Sequence, residues 1–282
     1  MIVLSHFQTR PLLVARQQHL TSAPISPDLG LTTGEARLTA EGIVLPTGER
    51  LGWGDVVHIS ETENQCFLLD QDTIRSIQVF SPVTHWSRSL FATASAPTTL
   101  VAGFPMHRVQ QTDPIQDTRA KLAAIAPIKG QVLDTATGLG YTAIEAAKTA
   151  DCVTTIELDP AALEIARMNP WSQALFDNPR IIQYIGDAAE VVERFADQTF
   201  MRIIHDPPTL SLAGELYSQV FYSQLYRVLS PRGKLFHYIG DLSGGSGQRV
   251  AAGVMRRLQE VGFRRVVRHP EAFGVVAFKQ HA

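Results

Sequence analysis

The sequence of 282 residues has few cysteines, little net charge and no long apolar run. Its two cysteines, Cys66 and Cys152, are far apart and form no C-x-x-C or Cys/His cluster, so neither a disulfide framework nor a zinc site is indicated. A net charge of −2 argues against a strongly basic nucleic-acid binder, although it is compatible with a local basic patch. No apolar stretch approaches the roughly 20 residues of a membrane-spanning helix, and the N-terminal segment lacks the features of a signal peptide. These absences predict a cytoplasmic protein with no membrane contact.

The residues that are present divide the chain into two regions. Residues 1–112 carry short alternating runs broken by turn-forming stretches such as Pro46-Thr47-Gly48 and Gly52-Trp53-Gly54, a pattern typical of a small antiparallel β domain. Residues 113–282 alternate short apolar strands with helical segments, which predicts a doubly wound, mostly parallel sheet of seven strands. Two strands around Pro270 resemble a closing antiparallel hairpin. We therefore predict an α/β chain in which a β-rich N-terminal domain, for substrate selection or dimer contact, precedes a Rossmann-like domain.

Glycines follow the first strand of the second region. In a doubly wound sheet, ligands bind beyond the carboxyl ends of the strands, near the point where the strand order reverses. The strand at 131–134 ends at Asp134, and Gly138 and Gly140 come next. These glycines would let the backbone turn tightly and approach a ligand closely, although such a pair can also simply turn a chain.

Acidic residues stand at the ends of the next three strands. Glu157 is placed to bind the two hydroxyls of a ribose. Asp187 is placed to accept a hydrogen bond from an adenine amino group, and capping of a helix is its alternative role. Asp206 ends the fourth strand and is followed by Pro207 and Pro208. Four such positions at successive strand ends favour a nucleotide-like ligand over four independent helix caps.

The order and spacing of these motifs, over roughly residues 113–280, resemble the class I S-adenosylmethionine-dependent methyltransferases, although Ala136 replaces the first glycine of their usual motif. The stretches "LDTATGLGYTAIEAA", "NPWS", "HDPPTLSLAGELYS" and "LFHYIG", with a "MHR" element ahead of them, are also similar to a group of predicted archaeal and bacterial methyltransferases with a β-rich N-terminal region. The resemblance implies S-adenosyl-L-methionine as cofactor. The glycine turn would then hold its methionine part, with ribose and adenine at the following two acids. The predicted cofactor-binding residues are Asp134, Thr135, Thr137, Gly138, Gly140, Tyr141, Glu157, Leu158, Asp187 and Ala188.

The Asp206-Pro207-Pro208 corner predicts the type of acceptor. An attacking amine must point its lone pair along the carbon–sulfur bond, and two acceptors, the Asp206 carboxylate and a carbonyl of the corner, would orient its N–H groups. The prolines hold these carbonyls rigidly and add no competing N–H. The resembling enzymes use D/N-P-P-x for nitrogen targets, but Thr209 replaces their usual aromatic fourth residue. We predict methylation of a nitrogen in an RNA base, a protein side chain or a small amine, with Asp206, Pro207 and His205 as catalytic residues. A structural role is the alternative for His205.

Other residues near the corner, the fifth strand and the interdomain segment are candidates for substrate contact. Capping of a helix by Ser211 and joining of the domains by Arg108 are the alternatives. Asp117 and Thr118, in the helix before the first strand, are further candidates for contact with the cofactor or the substrate. The predicted substrate-binding residues are Pro208, Ser211, Tyr217, His107, Arg108 and His237.

Two other functions remain open at the level of sequence. An aminopropyltransferase that resembles spermidine synthase, using decarboxylated S-adenosylmethionine, would share the sheet and the acid after the fourth strand, but it has a denser glycine cluster in the first turn. A cofactor-binding protein without catalysis is the other, and the joint presence of Asp134, Glu157, Asp187 and Asp206 argues against it. The sequence does not identify the acceptor, and it is compatible with a homodimer.

Overall fold

The computed structural model describes residues 1–208, 210, 213–242 and 244–280. The chain divides into two compact units, Met1–Ile115 with Ala161–Ala174 and Gln116–Pro160 with Leu175–Ala282. No helix among the described residues is long and apolar enough to cross a membrane.

Short strands and helices make up both units. In chain order, the strands are β1 (Ile2–Leu4), β2 (Ser22–Ile25), β3 (Gly34–Leu38), β4 (Gly42–Val44), β5 (Arg50–Gly52), β6 (Phe67–Asp70), β7 (Thr73–Ser76), β8 (Gln78–Phe80), β9 (Ser87–Phe91), β10 (Thr98–Val101), β11 (Phe104–Pro105), β12 (Gln131–Asp134), β13 (Cys152–Glu157), β14 (Ile181–Ile185), β15 (Phe200–His205), β16 (Leu229–Tyr238), β17 (Arg265–His269) and β18 (Gly274–Phe278). The helices are α1 (His6–Gln17), α2 (Trp53–Glu61), α3 (Pro114–Ala124), α4 (Tyr141–Ala146), α5 (Pro160–Arg167), α6 (Gln173–Asp177), α7 (Ala188–Glu193), α8 (Gln219–Val228) and α9 (Gly245–Glu260).

The first unit contains small antiparallel sheets, as predicted. Their strand orders are β1-β6-β7, β2-β3-β4-β5 and β11-β10-β9-β8. The unit also contains helices that the sequence analysis missed. Helix α1 begins with a capping box, in which Ser5 and Gln8 satisfy each other's backbone N–H groups. The turn expected at Gly52-Trp53-Gly54 is wrong, because α2 begins at Trp53 and buries Trp53, Val56 and Ile59 on one face.

The second unit contains a seven-stranded sheet with the order β14-β13-β12-β15-β16-β18-β17. Pairing is parallel from β14 to β16, whereas β18 pairs antiparallel with both β16 and β17. The prediction of a doubly wound, mostly parallel sheet with a closing hairpin is therefore confirmed.

The core of this unit lies between the sheet and the helices that pack on it. Leu133 of β12, Ile203 of β15 and Leu235 of β16 are fully buried, in one cluster with Leu225 of α8 and Leu258 of α9. Burial of each such side chain stabilises the fold by roughly 1.5–3 kcal/mol. The sequence order of the strands reverses between β12 and β15, so the carboxyl ends of β13, β12 and β15 lie side by side at one edge. The glycine turn after β12, Glu157 at the end of β13 and Asp206 after β15 therefore lie at this edge.

Candidate active site

The turn after β12 is shaped by two glycines with left-handed backbone. Gly138 has φ 52° and Gly140 has φ 78°, and the Gly140 N–H donates to the Thr137 carbonyl at 2.7 Å. A Cβ atom at Gly140 would lie 2.7 Å from Leu175 Cδ2, so packing as well as φ requires glycine there. A Cβ atom at Gly138 would have no neighbour within 4 Å. The backbone at Gly138 therefore borders open space.

Glu157, at the end of β13, is fixed to this turn by hydrogen bonds. Its Oε2 accepts from the Gly138 N–H at 2.8 Å, and its Oε1 accepts from the Asp159 N–H at 3.0 Å. The next residue, Leu158, exposes 49% of its surface. The structure thus brings together the glycine turn and the acid that the sequence analysis assigned to the same ligand.

Asp134 lies beneath the turn rather than at its surface. The side chain is fully buried, and its Oδ2 accepts from the Thr155 hydroxyl at 3.0 Å. The Thr137 hydroxyl also pairs with Thr155, at 2.7 Å. Burial raises the pKa of Asp134 to about 7 against the lowering effect of the Thr155 hydrogen bond. Asp134, Thr137 and Tyr141 are thus all buried, and the first two are joined through the Thr155 hydroxyl below the turn.

Asp187 caps helix α7. Its Oδ1 accepts from the Ala189 N–H at 2.8 Å, which is the alternative role that the sequence analysis named. Ala188 is buried in the first turn of that helix, whereas Ile185, at the end of β14, exposes 61% of its surface. Exposed aliphatic surface is therefore present at the ends of both β13 and β14.

Asp206 follows β15 and is bound by a lysine from helix α3. The Lys121 Nζ lies 2.6 Å from Asp206 Oδ2 and 2.8 Å from Asp117 Oδ2, and it lies 4.6 Å from the centre of the Tyr238 ring. The Lys121 side chain is buried, whereas that of Asp206 remains 20% exposed. Burial opposes the charge of Lys121, but the two carboxylates outweigh it and raise its pKa. Burial raises the pKa of Asp206, and the Lys121 ammonium opposes that shift.

His205 is fully buried and both of its ring nitrogens have partners. Its Nε2 donates to the Leu216 carbonyl at 2.9 Å, so Nδ1 is the acceptor for the Thr135 hydroxyl at 2.7 Å. Burial lowers the pKa of His205 to about 3, which keeps the ring neutral. These bonds favour the structural role that is the alternative for His205, and they make the Thr135 hydroxyl its partner.

His237 and Tyr217, two of the predicted substrate-binding residues, are also buried. The Tyr222 hydroxyl lies 2.8 Å from His237 Nε2, and the His237 ring lies 4.3 Å from that of His205. The Tyr217 hydroxyl donates to the Pro208 carbonyl at 3.1 Å. Tyr217 therefore acts on the corner by holding a carbonyl group.

The remaining predicted residues are the two prolines of the corner, two residues of the first unit and Ser211. Pro207 is buried and Pro208 is exposed at the corner. His107 and Arg108 belong to the first unit, where Nδ1 of His107 lies 2.9 Å from the Thr98 hydroxyl. Thr209 and Ser211 lie outside the described residues.

Comparison with known proteins finds one curated relative and several solved structures of similar fold. No family model matches the chain. An uncharacterized protein of Methanocaldococcus jannaschii is 49% identical over 186 residues. The match covers 65% of this chain and 64% of that protein, which is less than two thirds of its length. A spermidine synthase solved in complex with the transition state analogue AdoDATO is 20% identical with a TM-score of 0.58, covering 73% of this chain and 75% of that one. The spermidine synthase of Thermotoga maritima is 19% identical with a TM-score of 0.56, covering 75% and 77%. At these identities the similarity concerns the fold, which is the Rossmann-like fold predicted above.

Proposed function

We propose that this protein is an S-adenosylmethionine-dependent transferase that methylates a nitrogen atom. The single observation that carries the proposal is the common edge of the sheet, where the glycine turn with Glu157 lies next to the Asp206 corner. β12 pairs with β13 on one side and with β15 on the other, so the two acids flank the same turn. A ligand that spans this edge would contact a nucleoside-binding acid and an amine-orienting acid together.

The residues at this edge fit the cofactor. Gly138 borders open space, and Glu157 is held rigidly beside it as an acceptor for ribose hydroxyls. Leu158 and Ile185 leave aliphatic surface for the faces of a planar base, and the capped start of α7 at Asp187 lies after the same strand end as Ile185. S-adenosylmethionine supplies, when bound, a methyl group on a positively charged sulfur.

The corner fits an acceptor nitrogen. Asp206 keeps part of its side chain exposed, and Pro207 and Pro208 contribute no N–H that would compete for its carboxylate. Tyr217 fixes the Pro208 carbonyl from the buried side. The corner therefore offers fixed acceptors that orient the nitrogen lone pair and stabilise the positive charge that grows on it during attack.

Aminopropyl transfer is the second candidate, in keeping with the names of the spermidine synthases of similar fold. An aliphatic diamine acceptor carries two ammonium groups and needs carboxylates to bind them. In this chain Lys121 already neutralises part of the charge of Asp117 and Asp206. This pairing leaves less negative charge for the second ammonium group of a diamine, and it therefore favours methyl transfer.

The experiment is a transfer assay with methyl-labelled S-adenosylmethionine on separate RNA, protein and metabolite fractions of a cell extract. We expect label in one fraction together with release of S-adenosylhomocysteine, and labelling at least about a hundredfold slower with the Asp206→Ala variant. A parallel assay with decarboxylated S-adenosylmethionine reads out 5′-methylthioadenosine, which would support aminopropyl transfer instead. Transfer from neither cofactor, with no cofactor binding by calorimetry, would reject the proposal.

A further inference from the structure

Lys121 is a buried ammonium with two carboxylate partners, Asp117 and Asp206. Lys121 lies in helix α3, one turn after Asp117. Its Nζ is 2.8 Å from Asp117 Oδ2 and 2.6 Å from Asp206 Oδ2. Its third contact is the face of Tyr238. The described residues provide no second hydrogen bond to the Asp206 carboxylate, so Oδ1 differs from Oδ2 in having no protein partner among them.

Stability alone is a poor reason for this arrangement. Removing an ammonium and carboxylates from water carries a desolvation penalty that their attraction often only balances, and apolar replacements of buried ion pairs are frequently as stable. The Lys121 side chain is 2% exposed and that of Asp117 is fully buried. A buried cation that contacts the acid at a strand end does, however, fix which oxygen of that acid stays available.

We propose that Lys121 is a positioning residue for the transfer reaction: its ammonium binds Asp206 Oδ2 and keeps the carboxylate ionised, so that Oδ1 is the oxygen that accepts from the acceptor nitrogen. The assignment rests on the proposed function. Without Lys121, the carboxylate would be free to rotate and would face Asp117 as an uncompensated like charge.

Several charged or titratable groups act on Asp206 besides Lys121. Helix α3 contributes Asp117, whose negative charge favours protonation of Asp206, and β12 contributes Asp134, which interacts with Asp206 as a like charge. Tyr217 also interacts electrostatically with Asp206, and the Tyr238 ring contacts Lys121. Lys121 is the cation among these groups. Removing its positive charge makes protonation of Asp206 easier, so the pKa of Asp206 should rise.

The test is carbon NMR of the full chain labelled with carboxyl-¹³C aspartate, in which the Asp206 signal is assigned by its loss in Asp206→Asn. In Lys121→Met we expect the Asp206 titration midpoint to rise by about one to three pH units. Lys121→Arg should keep the parental midpoint, and so should Lys148→Met, which removes an exposed lysine paired with Glu145. Asp117→Asn removes the repelling charge and should lower the midpoint, so it carries the test if Lys121→Met does not fold.

A second readout is methyl transfer to the fraction that accepts label. We expect Lys121→Met to lower the transfer rate near neutral pH, with recovery at higher pH, where Asp206 ionises without help, and Lys121→Arg to retain the parental pH profile. Unchanged midpoints in both Lys121→Met and Asp117→Asn would overturn the inference while transfer by the parent enzyme stands. A parent chain that binds no S-adenosylmethionine would overturn the proposed function, and a shifted midpoint would then leave Lys121 as a structural partner only.

Discussion

The Thr135 hydroxyl lies 2.7 Å from Nδ1 of His205, where strands β12 and β15 end side by side. Because Nε2 of the same ring donates to the Leu216 carbonyl, the imidazole ties the turn after β12 to the segment that follows the Asp206 corner. The bond is fully buried. The two halves of the site are thus held in register by a neutral histidine.

Thr135→Val should test this tie. The substitution leaves Nδ1 of a buried imidazole without a donor, so we expect the free energy of unfolding to fall by about 1–3 kcal/mol. Urea denaturation measures the change. The exposed Thr149→Val is the control, with an expected change within about 0.5 kcal/mol. Equal effects of the two substitutions would contradict the structural role of His205.

Asp134→Asn should change how stability depends on pH. The carboxyl titrates near pH 4 in the unfolded chain and at about 7 when buried in the folded protein. Between these values the folded state holds more protons, so the stabilising contribution of Asp134 is lost as pH rises. The free energy of unfolding of the parent, relative to the variant, should fall by up to about 1.4 kcal/mol per pH unit between pH 4 and 7. Denaturation of both proteins at several pH values measures this, with the exposed Asp151→Asn as control. Parallel curves for the parent and Asp134→Asn would contradict the burial of an ionisable Asp134.

Alanine at the two glycines of the turn should separate binding from folding. Gly140→Ala meets both a positive φ and the Leu175 side chain, so we expect a loss of about 2–3 kcal/mol in stability. Gly138→Ala meets only the positive φ, so we expect a loss of about 1 kcal/mol in stability. It also places a methyl group in the open space beside Glu157. S-adenosylmethionine affinity should therefore fall at least about tenfold, or about 1.4 kcal/mol, in Gly138→Ala. Calorimetry and denaturation measure the two effects, and undiminished affinity in Gly138→Ala would remove the turn from the cofactor site.

Tyr217→Phe should weaken the fixation of the Pro208 carbonyl without weakening cofactor binding. Loss of the hydrogen bond to the Pro208 carbonyl is expected to lower stability by about 1 kcal/mol and transfer by about tenfold. Cofactor affinity should stay unchanged, because the Tyr217 hydroxyl donates to the corner and not to the glycine turn. Tyr226→Phe, in the same unit, is the control for loss of a phenol. A transfer rate equal to that of the control would show that the corner is rigid without Tyr217.

The sheet could be predicted from sequence because its signals are local. Residues close together in the sequence are enough to identify the alternation of strands and helices, the glycines after β12 and the acids at the strand ends. The order of the strands in the sheet then places these acids at one edge. Helix α1 was missed although Ser5 and Gln8 form a capping box. Pro11 lies inside the helix, and a proline at an interior position usually indicates that a helix ends or is broken there.

Lys121 was missed for a different physical reason. An aspartate and a lysine four residues apart on a helix, as in Asp117 and Lys121, usually form a solvated pair. The second partner, Asp206, is 85 residues away in sequence. The burial of His237 depends likewise on the parallel pairing of β15 with β16, which places it beside His205. Such contacts arise only from tertiary packing.

The central claim is that Glu157 serves the cofactor and Asp206 serves the acceptor at one edge of the sheet. The most direct measurement is S-adenosylmethionine binding by calorimetry, together with methyl transfer, for the parent, Glu157→Gln and Asp206→Ala. We predict that Glu157→Gln weakens binding at least about tenfold, and that Asp206→Ala binds the cofactor normally but transfers at least about a hundredfold more slowly. Equal loss of cofactor binding in Asp206→Ala, or normal binding in Glu157→Gln, would contradict this division of roles.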